Sequence, residues 1–343
     1  MHENYQIMKN WNKGKKKVLI TGGCGFIGSH VVEHFKRKTD WEIIVVDKLS
    51  YASNGLNRLR NSDCIPSDRI KVFPVDFTLP FPTGLRQEIG EDVNIILHMG
   101  AESHVDNSIK EPRDCFKNNI DGTVEMLEYA KTLKDLEFFF YFSTDEVFGY
   151  APDGTAYAEW DRHKPTNPYS ASKSAAESIC VAYENSYNLP LITVNSMNVF
   201  GQRQHPEKYI PKVMKNILNG EKTLIHSYKD KERAGSRFYI HARNVASAIL
   251  FLFENGDIGD KYNIVGEKEI DNLELAQLIA KYMKRPLDYE MVDFHSERPG
   301  HDLRYALKDT KMSPKGWELP VNFEESLKLT VEWTMENKDW LNF

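Results

Sequence analysis

The first thirty ordered-looking positions leave few folds open to this chain. Lys17–Thr21 is a short β-branched run that stops at Gly22-Gly23. Phe26–Phe35 then carries apolar residues at helical spacing, and Glu42–Asp47 is a second apolar run that ends in an acid. Strand, glycine turn, helix, strand and acid make a βαβ unit, within which Gly22, Gly25 and Gly28 have the spacing of a dinucleotide fingerprint. Gly22 makes the turn, Gly25 lets a pyrophosphate approach the backbone, and Gly28 lets the helix pack on the sheet. The helix start then faces the phosphates with unpaired N–H groups. Asp47, about 20 residues beyond the last glycine, is placed to accept hydrogen bonds from a ribose diol and to repel a 2′-phosphate. NAD is therefore expected rather than NADP, although Lys48 stands next to the acid.

Ile70–Val75 and Val93–His98 repeat the strand pattern, and Pro112–Leu133 reads as a helix. Asn167–Tyr187 is a long helix and Leu191–Ser196 a sixth strand. Strands alternating with helices, without hairpin signals, predict an α/β fold: a Rossmann-type doubly wound parallel sheet. Beyond about residue 200 the pattern degrades, with prolines and charges through Gln202–Lys212 and a hydrophilic loop at Tyr228–Ser236. Helices are expected at Ala242–Glu254, Asn272–Lys284 and Phe323–Asn337, with a strand at Lys261–Val265. We expect a flexible tail at 1–16, an NAD-binding domain at 17–200, and a smaller C-terminal α/β substrate lobe at 201–343. Some exchange of chain between the lobes is allowed for.

Bulk properties remove several function classes. A net charge of -6 gives no polyanion-binding footprint, so nucleic acid is not an expected partner. Cys24, Cys64, Cys115 and Cys180 are scattered without CxxC spacing, which argues against a zinc site, any other metal centre or a disulfide framework. No apolar run reaches the roughly 20 residues that span a bilayer, and the polar first residues lack the apolar core of a secretory signal. A cytoplasmic protein away from the membrane is expected.

The chemistry is expected where an aromatic strand ends. Phe138–Phe142 is five aromatic residues in a row, and it delivers Ser143, Thr144, Asp145 and Glu146. In an open α/β sheet the carboxyl ends of the strands are where ligands bind. Tyr169 and Lys173 lie at i and i+4 on one face of the helix that follows. A lysine ammonium beside a phenol lowers its pKa and makes it a usable base. The same lysine can hold a nicotinamide ribose.

With these motifs in place, the chain resembles the extended short-chain dehydrogenases/reductases that act on nucleotide sugars, most closely the dTDP-glucose 4,6-dehydratase family. The resemblance runs through Thr21–Gly28, Asp47–Tyr51, His98–Ser108, Ser143–Gly149, Asn167–Lys173, His205–Lys208 and Arg298–Tyr305. It implies a catalytic set of Thr144, Asp145, Glu146, Tyr169 and Lys173. Tyr169 would take the sugar 4-OH proton while Thr144 holds that oxygen, Glu146 would abstract the C5 proton, and Asp145 would protonate the departing 6-hydroxyl. The implied NAD contacts are Gly22, Gly25, Phe26, Ile27, Gly28, Asp47, Lys48, Ser50, Asp76 at the adenine, Phe77, Gly100, Ala101, Ser103, Asn118 and Ser143, with Tyr169 and Lys173. The nucleotide-diphosphate hexose would meet Ser103, Thr144, Asn198, Glu207, Lys208, Arg237, Arg298 and Tyr305, the two arginines as phosphate clamps. The family pairs as homodimers through two helices per subunit, here Pro112–Leu133 and Asn167–Tyr187. His104, His205 and His301 receive no role.

Two segments depart from the family pattern. Met197 stands where the family usually has asparagine, and Leu224–Ser236 is longer and more charged than the usual glycine-containing turn near the base. The base and the hexose therefore stay open, with dTDP-glucose the default. Two other functions compete: a nucleotide-sugar 4-epimerase working with Thr144, Tyr169 and Lys173 alone, and a non-catalytic NAD-binding sensor. The first leaves Asp145 and Glu146 without a task; the second leaves Tyr169 and Lys173 without one.

Overall fold

A computed structural model describes residues 15–294 and 302–342. Twelve strands are formed among them: β1 Lys17–Thr21, β2 Glu42–Asp47, β3 Ile70–Pro74, β4 Ile95–His98, β5 Phe138–Thr144, β6 Leu191–Ser196, β7 Asn198–Phe200, β8 Thr223–Ser227, β9 Ser236–His241, β10 Asp260–Ile264, β11 Glu269–Asp271 and β12 Tyr289–Asp293. Seven of them build one sheet in the order β10-β6-β5-β4-β1-β2-β3, every pair parallel. This is the 3-2-1-4-5-6 order of a doubly wound fold with one strand added beyond β6. The expected fold class is what forms.

All seven residues of β5 are buried, and alternation splits them between two cores. Phe138, Phe140 and Phe142 pack with Phe35, Trp41 and Phe253, the last from the helix Ala242–Asn255. Phe139 and Tyr141 pack on the opposite face with Phe77, Met126 and Cys180. An aromatic strand survives here because helices cover both of its faces.

The helix Pro168–Tyr187 starts at a capping box that fixes where its first turn points. The Asn167 side chain accepts from the Ser170 N–H at 2.9 Å, and the Ser170 hydroxyl accepts from the Asn167 N–H at 3.2 Å. The helix expected over Pro112–Leu133 is instead interrupted. Pro112–Phe116 and Gly122–Ala130 are α-helical, with a π turn at Lys117–Asp121 between them. The wide turn brings Asn118 and Asn119 inward, where both are buried. Asn119 clamps the Glu102 main chain from both sides, and Asn118 accepts from Lys48.

A second assembly holds the three-stranded sheet β11-β9-β7 and the parallel pair β12-β8. Tyr209–Asn219, Asn272–Met283 and Phe323–Glu336 close over them around a separate core of Phe200, Met214, Leu275 and Leu327. The helix Tyr209–Asn219 forms although Pro211 lies inside it, because Pro211 falls in the first turn, where a missing N–H costs no hydrogen bond. Residues 242–264 return to the large sheet, with β10 pairing on β6. Among the described residues no helix is long and apolar enough to cross a membrane, and all four cysteines are free and buried.

Candidate active site

A cleft of about 310 Å³ opens along the carboxyl ends of β1, β4 and β5 and reaches into the second assembly. It straddles β1 and β4, where the strand order reverses. Gly22 has φ +72°, and a Cβ on it would lie 2.8 Å from the Gly100 Cα. A Cβ on Gly28 would lie 2.1 Å from the Gly22 carbonyl oxygen. Turn, helix start and β4 end are thus packed too closely for side chains, leaving a bare backbone cradle. The helix Phe26–Lys38 begins at Gly25 without any side-chain cap, so its first N–H groups are left for a ligand.

Asp47 is buried and accepts from the Cys24 N–H at 2.9 Å and the Leu49 N–H at 2.8 Å. A carboxylate has about four acceptor positions, so capacity remains for a diol. Burial pushes its carboxyl up, and those N–H groups with Arg58 pull it back. Lys48 is held to the wall by Asn118 at 2.5 Å and Glu102 at 3.1 Å. Phe26, Ile27, Ser50, Phe77, Gly100, Ala101, Ser103, Asn118 and Ser143 line the same cleft. Asp76 is the exception. Its carboxylate accepts from the Thr78 N–H at 2.9 Å and does not line the cleft. Cradle, helix start and diol acceptor together fit a dinucleotide.

At the far end the 3₁₀ turn Asp145–Phe148 follows β5 directly, with Thr144 as its N-cap. The Thr144 oxygen accepts from the Glu146 N–H at 3.3 Å, and its hydroxyl lies 3.0 Å from Asp145 Oδ1. Asp145 is 3% exposed, and its Oδ2 is buried without a hydrogen-bond partner among the described residues. Burial, and then the neighbouring Glu146, push this carboxyl up to about 7. Glu146 is also raised by burial, but Arg237 and the Asn167 amide hold it down. Its Oε2 lies 3.4 Å from both Asn167 Nδ2 and the Tyr305 hydroxyl. Burial thus raises both adjacent carboxyls; the Glu146 charge adds to the rise at Asp145, while Arg237 and Asn167 oppose it at Glu146.

Tyr169 is buried beside them and hydrogen-bonds the Thr144 hydroxyl. The expected lowering of its phenol by Lys173 is not what this geometry produces. Burial, and then Glu146, push the phenol up. Lys173 instead turns to β5, donating to the Phe142 carbonyl at 2.8 Å over the Tyr141 ring at 4.4 Å. Burial pulls its ammonium down to about 8.

Of the residues expected on the nucleotide sugar, Ser103, Thr144, Asn198, Glu207 and Lys208 line the cleft, while Tyr305 reaches it only through Glu146. Arg237 is not a free clamp. Its guanidinium donates to the carbonyls of Ser236, Leu303 and Asp302 and stacks on Tyr305 at 4.6 Å. Arg298 and His301 lie outside the described residues. His104 and His205 flank Glu207 at 3.7 and 3.5 Å. The sequence reading missed Asn167, whose signal was an N-cap type just before a proline, and Gln204 and Tyr209, which line the cleft without any motif.

A family model described as the NAD dependent epimerase/dehydratase family matches residues 18–265. The chain belongs to that family. NAD is its cofactor, and the resemblance to the dTDP-glucose 4,6-dehydratases holds across nearly the whole chain. It is 34% identical over 350 residues to a dTDP-glucose 4,6-dehydratase of Salmonella typhimurium, covering 95% of this chain and 94% of that one. It is 36% identical over 333 residues to a trifunctional UDP-glucose 4,6-dehydratase/UDP-4-keto-6-deoxy-D-glucose 3,5-epimerase/UDP-4-keto-L-rhamnose-reductase of Arabidopsis thaliana, covering 95% of this chain. The chain spans about half the length of that relative, 48%. Among solved structures, a dTDP-glucose 4,6-dehydratase from Streptomyces venezuelae with NAD bound superposes with a TM-score of 0.84 at 32% identity, covering 95% of this chain and 99% of that one. A Thermus thermophilus UDP-glucose 4-epimerase complexed with NAD superposes at 0.81 and 26% identity, covering 92% and 98%.

Proposed function

We propose that this family member is an NAD-dependent nucleotide-diphosphate-hexose 4,6-dehydratase, with dTDP-glucose the default substrate and a 4-keto-6-deoxyhexose the product. The observation that carries the reading is the pair Asp145 and Glu146, adjacent in the turn after β5 beside Tyr169 and Lys173. Both are raised by burial, with the Glu146 charge adding to the rise at Asp145 and Arg237 and Asn167 opposing it at Glu146. Tyr169 takes the proton of the sugar 4-hydroxyl, whose oxygen Thr144 holds. Bound NAD supplies the hydride acceptor at C4 and the hydride donor at C6. The 4-keto group acidifies C5, Glu146 removes that proton, and Asp145, held protonated, gives a proton to the leaving 6-hydroxyl. Lys173 holds the nicotinamide ribose, and Asn198, Glu207 and Lys208 take the nucleotide diphosphate.

A 4-epimerase is the second reading, favoured by the likeness to 4-epimerase structures such as that of Thermus thermophilus. It would leave an Asp145 held towards its protonated form without work. Incubation with nucleotide-diphosphate hexoses, base and sugar varied separately, tests the assignment through the ultraviolet absorbance that 4-keto-6-deoxy sugars develop in alkali. No such signal with any of them would overturn it.

In the same reading residues 17–200 are the NAD domain and 201–343 mainly the sugar lobe, and the enzyme is cytoplasmic. It pairs as a homodimer through the helices that carry Phe116, Val181 and Tyr187, all exposed in the single chain. Sedimentation at a dimer's mass is the expected result.

A further inference from the structure

At the cleft wall and behind it lie two buried ammonium groups and one carboxylate. Lys261, on β10, is 2% exposed, and Lys173 is 4% exposed. Glu177, one helical turn after Lys173, is 5% exposed. A buried ammonium needs a partner, and a buried carboxylate left alone draws in the nearest cation. Helical spacing makes Lys173 the natural partner of Glu177, yet Lys261 takes that place, 2.6 Å from Glu177 Oε2.

Lys261 is itself firmly held. Its Nζ lies 2.9 Å from His163 Nε2 and over the Phe148 ring at 4.8 Å. The other ring nitrogen of His163 lies 2.9 Å from the Ser174 hydroxyl. Glu177 Oε1 meanwhile accepts from Ser143 at 2.5 Å and from Asn195 at 2.8 Å, and that amide also donates to the Thr144 carbonyl at 2.9 Å. The carboxylate thus braces the strand end that carries the reactive residues. The groups facing Lys173 from every side are His98 on β4, Tyr141 on β5, Cys115 on Pro112–Phe116, and Tyr169, Glu177 and Cys180 on its own helix. Burial keeps the histidine, tyrosines and thiols neutral, so Glu177 is the anion available to it.

We propose that Lys261 is a positioning residue for the Tyr169–Lys173 couple: by occupying Glu177 it denies Lys173 an ion-pair partner and keeps that ammonium free for the cofactor ribose and for proton exchange. The inference rests on reading Tyr169 and Lys173 as the oxidation couple.

The test is the titration of Lys173, followed by ¹⁵N NMR of lysine-labelled, NAD-loaded protein, with Lys173→Met to assign the signal. Wild type should titrate near 8. Lys261→Met should raise the midpoint by about one pH unit or more, as an uncompensated carboxylate does to a neighbouring ammonium. Glu177→Gln should lower it, Glu177→Gln/Lys261→Met should fall between these two, and Lys261→Arg should match wild type. If Lys261→Met does not fold, the order Glu177→Gln below the double variant and wild type still decides. A merely structural Lys261 would cost stability, leave the Lys261→Met midpoint at the wild-type value and make Glu177→Gln and the double variant titrate alike, and that result overturns the proposal. Midpoints that move in protein unable to dehydrate any nucleotide-diphosphate hexose would sink the functional reading alone. A Lys261→Met midpoint at the wild-type value in an active dehydratase would sink the role of Lys261 alone.

Discussion

The Thr144 hydroxyl lies 3.0 Å from Asp145 Oδ1, between two residues adjacent in the chain. In the proposed reaction this contact joins the residue that holds the sugar oxygen being oxidised to the residue that protonates the departing water. Tyr169 adds a third member, hydrogen-bonded to the same threonine. Oxidation and elimination therefore share one polar cluster at the end of a strand buried on both faces.

Asp145→Asn removes the transferable proton while keeping size and most hydrogen bonding. Dehydration should fall by on order of 10²–10⁴-fold, the usual worth of a general acid. NAD should stay bound, and reduced nicotinamide should build up on the protein because oxidation no longer leads to water loss. Single-turnover absorbance with a nucleotide-diphosphate hexose checks both outcomes.

The same substitution should stabilise the fold at alkaline pH. Burial, and then the Glu146 charge, push the Asp145 carboxyl up to about 7 in the folded protein, from 3.8 for a free one. Between these values the folded state binds more protons than the unfolded one, so stability falls as pH rises. Asp145→Asn removes that loss. It should be the more stable protein at pH 8, by up to roughly 4 kcal/mol, with the difference gone near pH 4. Denaturant melts at the two pH values measure it, and an equal gap at both would contradict the assignment.

Arg237 holds the carbonyls of Asp302 and Leu303 and lowers the Glu146 carboxyl. Glu146 must be ionised to act as a base, so activity requires pH above its pKa. Arg237→Met should move the acid limb of the kcat profile to higher pH and raise the KM for the sugar nucleotide. Movement of that limb to lower pH would be the wrong sign for this role.

Gly28→Ala puts a methyl group 2.1 Å from the Gly22 carbonyl oxygen, closer than any real contact allows. Helix and turn must separate, and the cradle is lost. Protein purified with this change should retain far less NAD than wild type, by absorbance of the released cofactor, even if it folds.

Local pattern accounts for what was legible in the sequence. The run from Lys17 to Asp47 announces its fold because glycines, an apolar helix face and a terminal acid are close in sequence. Phe138–Phe142 announces a doubly covered strand for the same reason. The π turn at Lys117–Asp121 was not legible, since its cause is the tertiary demand that Asn119 clamp Glu102. The helix over Tyr209–Asn219 was hidden by Pro211, which reads as a breaker unless the helix start is known. Arg237 reads as a phosphate clamp in sequence because nothing nearby shows that carbonyls about 65 residues later claim its guanidinium. Lys261 and Glu177 meet across 84 residues and a sheet, beyond the reach of any spacing rule.

The most direct measurement follows the hydrogen atoms. A nucleotide-diphosphate hexose deuterated at C4 and C5 is converted in ordinary water, and the product is read by mass spectrometry and NMR. A dehydratase built on Asp145 and Glu146 should deliver the C4 deuterium to C6, lose one water and place a solvent hydrogen at C5. Recovery of a C4-epimerised sugar that keeps its 6-hydroxyl and its C5 deuterium would contradict the account.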